Sequence, residues 1–333
     1  MSPDDTLDGH AALHAVASLV ASVSASLDSG LLLALHAEPQ SAATLASDLA
    51  LDERATELVL EVLRRANVVT KTNDGYALAG HVIDRPDDSV RGLRSAVAVW
   101  SQLPQFLRDG RGLHFHGRSG QREAGYRGAV APLGDMFAAP ARRLASLLAT
   151  RLGRAATVLD VGAGSGVWSL AMAKVHDEAF VTALDLPAVT EVFRAVAARD
   201  AVADRVDTIA ADYHHFQPDA FAYDRVVLAN VLHLESERDA AQLVARMGRA
   251  VGESGALVIV DAMTDGSPQA EAEVAGYALH LALRTGKGRV HSETALRDWV
   301  TSAGFADCER LDLGTRAMGA LLARRSQQPG PRK

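Results

Sequence analysis

Three glycines alternate in Gly162-Ala163-Gly164-Ser165-Gly166, directly after the apolar run Val158-Leu159-Asp160-Val161 and before a helical pattern opening at Val167. A strand that turns on glycines into a helix is a nucleotide-binding device: lacking Cβ atoms, the backbone bends sharply and lets a ligand approach. Dinucleotide binders add a glycine three residues after the second one, to seat a pyrophosphate on the helix. That position is Val167 here. About twenty residues further on, the next apolar run ends at Asp185, whose carboxylate can accept both hydroxyls of an unphosphorylated ribose. The combination points to an adenosine-bearing ligand whose other half is not a pyrophosphate. A second reactive group, His233, follows the fourth apolar run, at the carboxyl edge where open α/β sheets bind ligands. An imidazole there is suited to take a proton near neutral pH.

Other candidates carry less chemistry. The chain holds twelve histidines, and most histidines are structural or face solvent. His114 with His116, and the adjacent His214-His215, lack a cysteine or carboxylate at ligand spacing, so they are read as surface histidines and no metal site is expected. Cys308 is the only cysteine. It cannot close an internal disulfide and reads as a small buried apolar residue.

The elements that position these groups follow from periodicity. Strands are expected at 157–161, 180–184, 206–210, 225–229 and 256–261, alternating with helices that begin at Val167, Ala188 and Glu237. That alternation means a parallel sheet covered on both faces. A last helix, Ser292 to Ala303, is followed by two closing strands, 308–313 and 318–323, turning at Gly314. Ahead of this, Ala11 to Ala37 has apolar helical spacing broken at Gly30. Ser41 and Asp52 look like helix N-caps, and Asn73-Asp74-Gly75 joins two short strands in a hairpin. Helix, helix, hairpin is the order of a winged helix. Residues 84–140 suggest helices joined by a mobile loop through Gly110 to Gly120. The expected division is a winged-helix domain at 1–100, a helical connector at 101–145 and a nucleotide-binding domain at 146–333.

The sequence resembles class I S-adenosylmethionine-dependent methyltransferases, and within them the O-methyltransferases with an N-terminal winged-helix dimerisation domain, which include caffeate- and hydroxyneurosporene-type enzymes. The resemblance runs over nearly the whole chain. It is carried by residues 159–166, by Asp185-Leu186-Pro187, by Ala211-Asp212-Tyr213, by Leu228 to His233, and by Gly288 to Leu296 followed by Ala303-Gly304-Phe305. It implies an α/β Rossmann-like domain binding S-adenosylmethionine, with Gly162 and Gly164 beside the methionine half, Asp185 and Leu186 at the ribose, and Asp212 and Tyr213 at the adenine. It also matches His233 to the family's catalytic base, in a His-Asp-Trp motif that reads His233-Leu234-Glu235 here. The family's second carboxylate is matched by Asp261, which would orient His233 or contact substrate. Its Arg-Thr pair near the last helix is His291-Ser292, which makes His291 a candidate substrate-facing residue. The family lysine four residues before the base is Ala229.

The expected function is O-methylation of a small aromatic or polycyclic metabolite with His233 as general base. C- or N-methylation, including metal-assisted methylation of a keto acid between His233 and His291, is the alternative. A cofactor-retaining relative performing decarboxylation, hydroxylation or cyclisation is another. Nucleic acid is not an expected partner: the net charge is −7, and residues 41–80 hold six acidic side chains against four basic ones, which repels phosphate. Met1 to Asp8 has no signal-peptide pattern, and no run approaches the roughly 18 apolar residues of a membrane span. A cytoplasmic homodimer acting on a small molecule, without a membrane, is expected.

Overall fold

The structure is a computed structural model, and it describes residues 9–35, 38–79, 97–111, 119–153, 157–315 and 318–325. The chain divides into two compact units, Met1–Ser101 and Gln102–Lys333.

The first unit contains helices α1 (Gly9–Asp28), α2 (Leu31–Ala34), α3 (Ala42–Asp48) and α4 (Glu53–Arg65), then strands β1 (Val69–Thr72) and β2 (Gly75–Leu78). The expected caps are in place: Ser41 Oγ accepts from the Thr44 N–H at 3.0 Å and Asp52 Oδ1 from the Ala55 N–H at 2.8 Å. Each satisfies a donor that a helix start would otherwise leave open. The strands pair antiparallel from Val69↔Leu78 to Thr72↔Gly75. Leu27, Leu31, Leu45, Leu60, Leu63 and Tyr76 close the core between helices and hairpin.

The second unit opens with α5 (Leu103–Asp109) and the long α6 (Ser119–Leu152). α6 runs through residue 145, with Leu144 and Leu148 buried in the same core as Trp168, Leu170 and Met172. His114 and His116 lie outside the described residues. There follow β3 (Thr157–Val161), α7 (Val167–Val175), β4 (Phe180–Asp185), α8 (Pro187–Arg199), β5 (Val206–Ala210), β6 (Tyr223–Ala229), α9 (Glu237–Gly248) and β7 (Val251–Thr264). The chain ends in α10 (Pro268–Arg284), β8 (His291–Ser292), α11 (Glu293–Ser302), β9 (Asp307–Leu311) and β10 (Met318–Arg324).

The sheet order is β5-β4-β3-β6-β7-β10-β9, with β8 paired to the end of β7. The first five strands are parallel, and β10 and β9 close the edge antiparallel. Successive side chains alternate between two cores: Val226, Leu228, Leu257 and Ile259 face one helical layer, Val227, Val258 and Val260 the other. Burial on both faces is why these strands read as continuous apolar runs. The chain steps from β3 outward to β5 and then crosses back to β6, beside β3. This is the switch point at which an open α/β sheet leaves a crevice at its carboxyl edge.

Candidate active site

The crevice is a cleft with about 830 Å³ of empty space, part of it open to solvent, bounded by the loop after β3, the end of β4, the segment after β5 and the segment after β6. Gly162, Gly164, Asp185, Leu186, Asp212 and Tyr213 all line it. Gly162, Gly164 and Gly166 have φ of +66°, +58° and +74°, the left-handed region that suits glycine. Packing adds a constraint that the sequence reading assigned to the ligand. A Cβ on Gly162 would stand 2.5 Å from Val231 Cγ1, and one on Gly166 would stand 2.4 Å from the Phe193 ring.

Asp185 holds the glycine turn directly. Its Oδ2 accepts from the Gly164 N–H at 2.8 Å and its Oδ1 from the Leu186 N–H at 2.7 Å. Burial raises its carboxyl above the usual range, against the pull of those two backbone donors. An ionised carboxylate has about four acceptor sites, so two backbone bonds leave capacity for a ribose diol. Two carboxylates, Asp185 and Asp212, line the cavity, and no lysine, arginine or histidine does so among the described residues. A pyrophosphate would meet only negative charge there, whereas a neutral adenosine carrying a sulfonium fits. The residues present therefore suit S-adenosylmethionine.

His233 lies in a 3-10 turn, Leu232–Leu234, beyond β6. It is 6% exposed, and Asp261, at the carboxyl end of β7, is 1% exposed. Asp261 fixes the histidine twice: Oδ1 lies 2.5 Å from ring Nδ1, and Oδ2 accepts from the His233 backbone N–H at 3.1 Å. A carboxylate only accepts, so Nδ1 is the donor, and in a neutral imidazole Nε2 then keeps its lone pair. Toward that lone pair points the hydroxyl of Tyr277, from α10, at 3.3 Å. Burial first, and then the Asp261 charge, push the Tyr277 phenol well above its usual range. It stays a donor at neutral pH. The wall of the cavity takes in Asn230, Val231 and Leu234 but not His233, whose ring meets that of Tyr277 edge-on at a centroid distance of 5.7 Å.

His291 does not join this pair. Its Nε2 donates to the Leu232 carbonyl at 2.9 Å, and its ring meets Trp299 edge-on at a centroid distance of 4.9 Å. Burial lowers its basicity, so the ring is a neutral prop under the turn that carries His233. No group of three metal-ligating side chains occurs among the described residues.

The reading of His214 as a surface histidine needs correction, whereas His215 is exposed. His214 is half-buried, with Nδ1 2.6 Å from Asp212 Oδ1 and Nε2 2.7 Å from Glu235 Oε1. Glu235 is 3% exposed and also takes the Tyr213 hydroxyl at 3.0 Å and Lys287 Nζ at 2.6 Å. Burial opposes its ionisation, but His214 and Lys287 hold its carboxyl down at about 2. Sequence reasoning missed Tyr277, Glu235 and Lys287, since α10 was not expected at all and long-range partners leave no local pattern. Pro268 behind Ser267, with Glu271 in the first turn, is a start signal that would have located the helix.

A family model described as an O-methyltransferase domain matches residues 136–306. The chain belongs to this family. Among curated relatives, acetylserotonin O-methyltransferase of Bos taurus is 25% identical over 320 residues, covering 88% of this chain and 90% of that one. The 3-hydroxy-5-methyl-1-naphthoate 3-O-methyltransferase of Streptomyces sahachiroi is 24% identical over 166 residues, 50% of this chain and 48% of that enzyme. The match thus spans about half of the naphthoate enzyme's length. Human N-acetylserotonin methyltransferase, solved in complex with S-adenosylmethionine, has the same fold: TM-score 0.74 at 18% identity, over 98% of this chain and 100% of that one. No described helix is long and apolar enough to cross a membrane.

Proposed function

We propose that this member of the O-methyltransferase family transfers a methyl group from S-adenosylmethionine to a hydroxyl of a small aromatic or polycyclic acceptor. His233 acts as general base and Asp261 orients it. The carrying observation is the buried His233–Asp261 pair beyond β6, beside a cavity that presents carboxylates and no cation. Relatives named for a naphthoate and for acetylserotonin support an aromatic acceptor.

When bound, S-adenosylmethionine supplies a methyl group open to in-line attack. Asp185 with Leu186 holds the ribose, Gly162 and Gly164 bound the methionine half, and Asp212 with Tyr213 bounds the adenine side. Asp261 keeps the proton on His233 Nδ1, leaving Nε2 to take the proton of the acceptor hydroxyl as it attacks. A phenol titrates near 10, so this acceptance matters at neutral pH. Tyr277 is the group the acceptor must displace from Nε2, or pass its proton through. The reading carries with it a cytoplasmic homodimer whose base needs no metal.

The test is incubation with methyl-labelled cofactor and a panel of phenols, naphthols, amines and keto acids. Label transferred to hydroxyls is expected. His233→Ala is expected to lower turnover about 10²- to 10⁴-fold with affinity for S-adenosylhomocysteine nearly intact. Label on nitrogen or carbon alone, or full turnover by His233→Ala, would overturn the proposal. So would loss of activity on adding chelator.

A further inference from the structure

His214 stands between two carboxylates, and this placement has a consequence for the cavity. Its two ring nitrogens lie 2.6 Å from Asp212 and 2.7 Å from Glu235. A neutral imidazole has one N–H and one lone pair, so it can satisfy only one of these acceptors. Its lone pair would face the other at hydrogen-bond distance. Only the imidazolium donates to both.

The elements packed around it agree in sign. Asp212, after β5, and Glu235, after β6, face the ring. Lys287 contacts Glu235 at 2.6 Å and Asp239, on α9, at 2.7 Å. Arg246, also on α9, donates to the Tyr213 carbonyl at 2.8 Å. Lys287 thus meets two of the carboxylates, Glu235 and Asp239, while His214 is bracketed by Asp212 and Glu235. The hydrogen bond to Glu235 raises the basicity of the imidazole, burial opposes it, and Asp212 adds to the rise.

What this bracket holds is the cavity wall. Asp212 and Tyr213 line the cavity, as does Leu234, next to Glu235. The Tyr213 ring stacks on His214 at a centroid distance of 4.4 Å and an interplanar angle of 27°, and its hydroxyl is pinned by Glu235. We propose that His214 is a positioning residue whose bound proton ties the adenine-side wall to the turn carrying His233, so that the adenosyl cofactor is held more tightly when His214 is an imidazolium. The inference rests on the reading of the cavity as the cofactor site.

The sign follows from the geometry. Below the ordinary histidine range both contacts are made. As pH rises through the raised value in the folded protein, one contact becomes repulsive and Asp212 or Glu235 lets go. Calorimetric titration of the full chain with S-adenosylhomocysteine at pH 6.5 and 8.5 reads this directly. Dissociation constants are expected to rise roughly three- to tenfold over that span, up to a decade being what one pKa unit of coupling allows. His214→Gln should bind weakly at both values with little slope, while His215→Gln, altering the exposed neighbour, should follow the wild type. His214→Asn serves the same comparison if the glutamine variant does not fold. Carbon-13 histidine NMR should also give His214 a titration midpoint above about 6.5, the ordinary value. A flat wild type, an unchanged slope in both His214 variants, or a midpoint below the ordinary value overturns the inference and leaves the cofactor site standing. Absence of S-adenosylhomocysteine binding at every pH overturns both.

Discussion

At the scale of single residues, Asp185 joins two tasks that sequence alone shows as one. Its position twenty-one residues after Gly164 marks it as a ribose acceptor, yet the structure shows that it first organises the glycine turn through the N–H groups of Gly164 and Leu186. Replacing it with asparagine keeps the shape but removes the charge and half of the acceptor capacity. Asp185→Asn is expected to weaken S-adenosylhomocysteine binding on the order of 10- to 100-fold, the loss of about one charge-assisted hydrogen bond of 1.5–3 kcal/mol. Calorimetry on the folded variant checks this, and unchanged affinity would remove Asp185 from the site. Asp160, two residues before the turn, is a different case. It is 1% exposed with a 2.5 Å bond from the Ser169 hydroxyl. Burial raises its carboxyl to about 7, with the Ser169 bond opposing and the Asp185 charge adding. A carboxyl raised in the folded state contributes stability that is fully present below its unfolded value and is lost as pH climbs through 7. Asp160→Asn, neutral throughout, should therefore gain on the wild type by on the order of 2 kcal/mol between pH 5 and pH 8. Denaturant unfolding at the two pH values measures it, and a pH-independent difference would contradict it.

At the scale of elements, the strand-to-helix turn at Gly166 is where backbone geometry and packing coincide. Gly166 has φ +74°, and a Cβ there would strike both the Phe193 ring and, at 2.9 Å, Leu170. Gly266 has φ +80° with open space around it. Gly266→Ala should therefore lose only the left-handed backbone penalty, about 1–2 kcal/mol. Gly166→Ala should lose that plus an overpacking cost of about 1–3 kcal/mol. Equal losses in chemical denaturation would show that Phe193 moves aside freely. This turn was legible in the sequence because its requirements are local, as were the caps at Ser41 and Asp52 and the strands β3 to β7, β9 and β10. The length of α6 was not legible, because the core that Leu144 and Leu148 share with α7 residues is formed only in the fold. Nor was α10 foreseen, and with it went Tyr277, whose hydroxyl lies 3.3 Å from Nε2 of His233. His214 was misread for the same reason: its two carboxylates come from different segments, and only the fold brings Glu235 beside Asp212.

At the scale of the whole molecule, the first unit carries more apolar surface than its own core uses. On α1 one stripe, Leu19, Val23 and Leu27, packs into the core with Leu31, Leu60 and Tyr76. A second stripe, Leu13, Val16 and Val20, falls at helical spacing and is 73%, 61% and 59% exposed. Three large aliphatic side chains in one row on a helix are a contiguous patch of the kind that marks an interface. A net charge of −7 over the chain disfavours phosphate-bearing partners in general. A second copy of the chain is the occupant that the family resemblance implies, and a stable dimer buries about 800 Å² per partner, more than three side chains supply alone. Other exposed apolar residues of the unit, such as Leu33 at 50% and Leu58 at 60% exposed, would have to contribute. Light scattering at micromolar concentration is expected to give twice the 35.2 kDa chain mass. The double variant Leu13→Glu, Val20→Glu should sediment as a monomer with unchanged far-ultraviolet circular dichroism, since neither side chain belongs to the core of the unit. Its affinity for S-adenosylhomocysteine should stay close to that of the wild type, because every cavity residue named above lies in the second unit. A wild type that remains monomeric, or a double variant that remains dimeric, would place the interface elsewhere and leave the exposed stripe of α1 without this role.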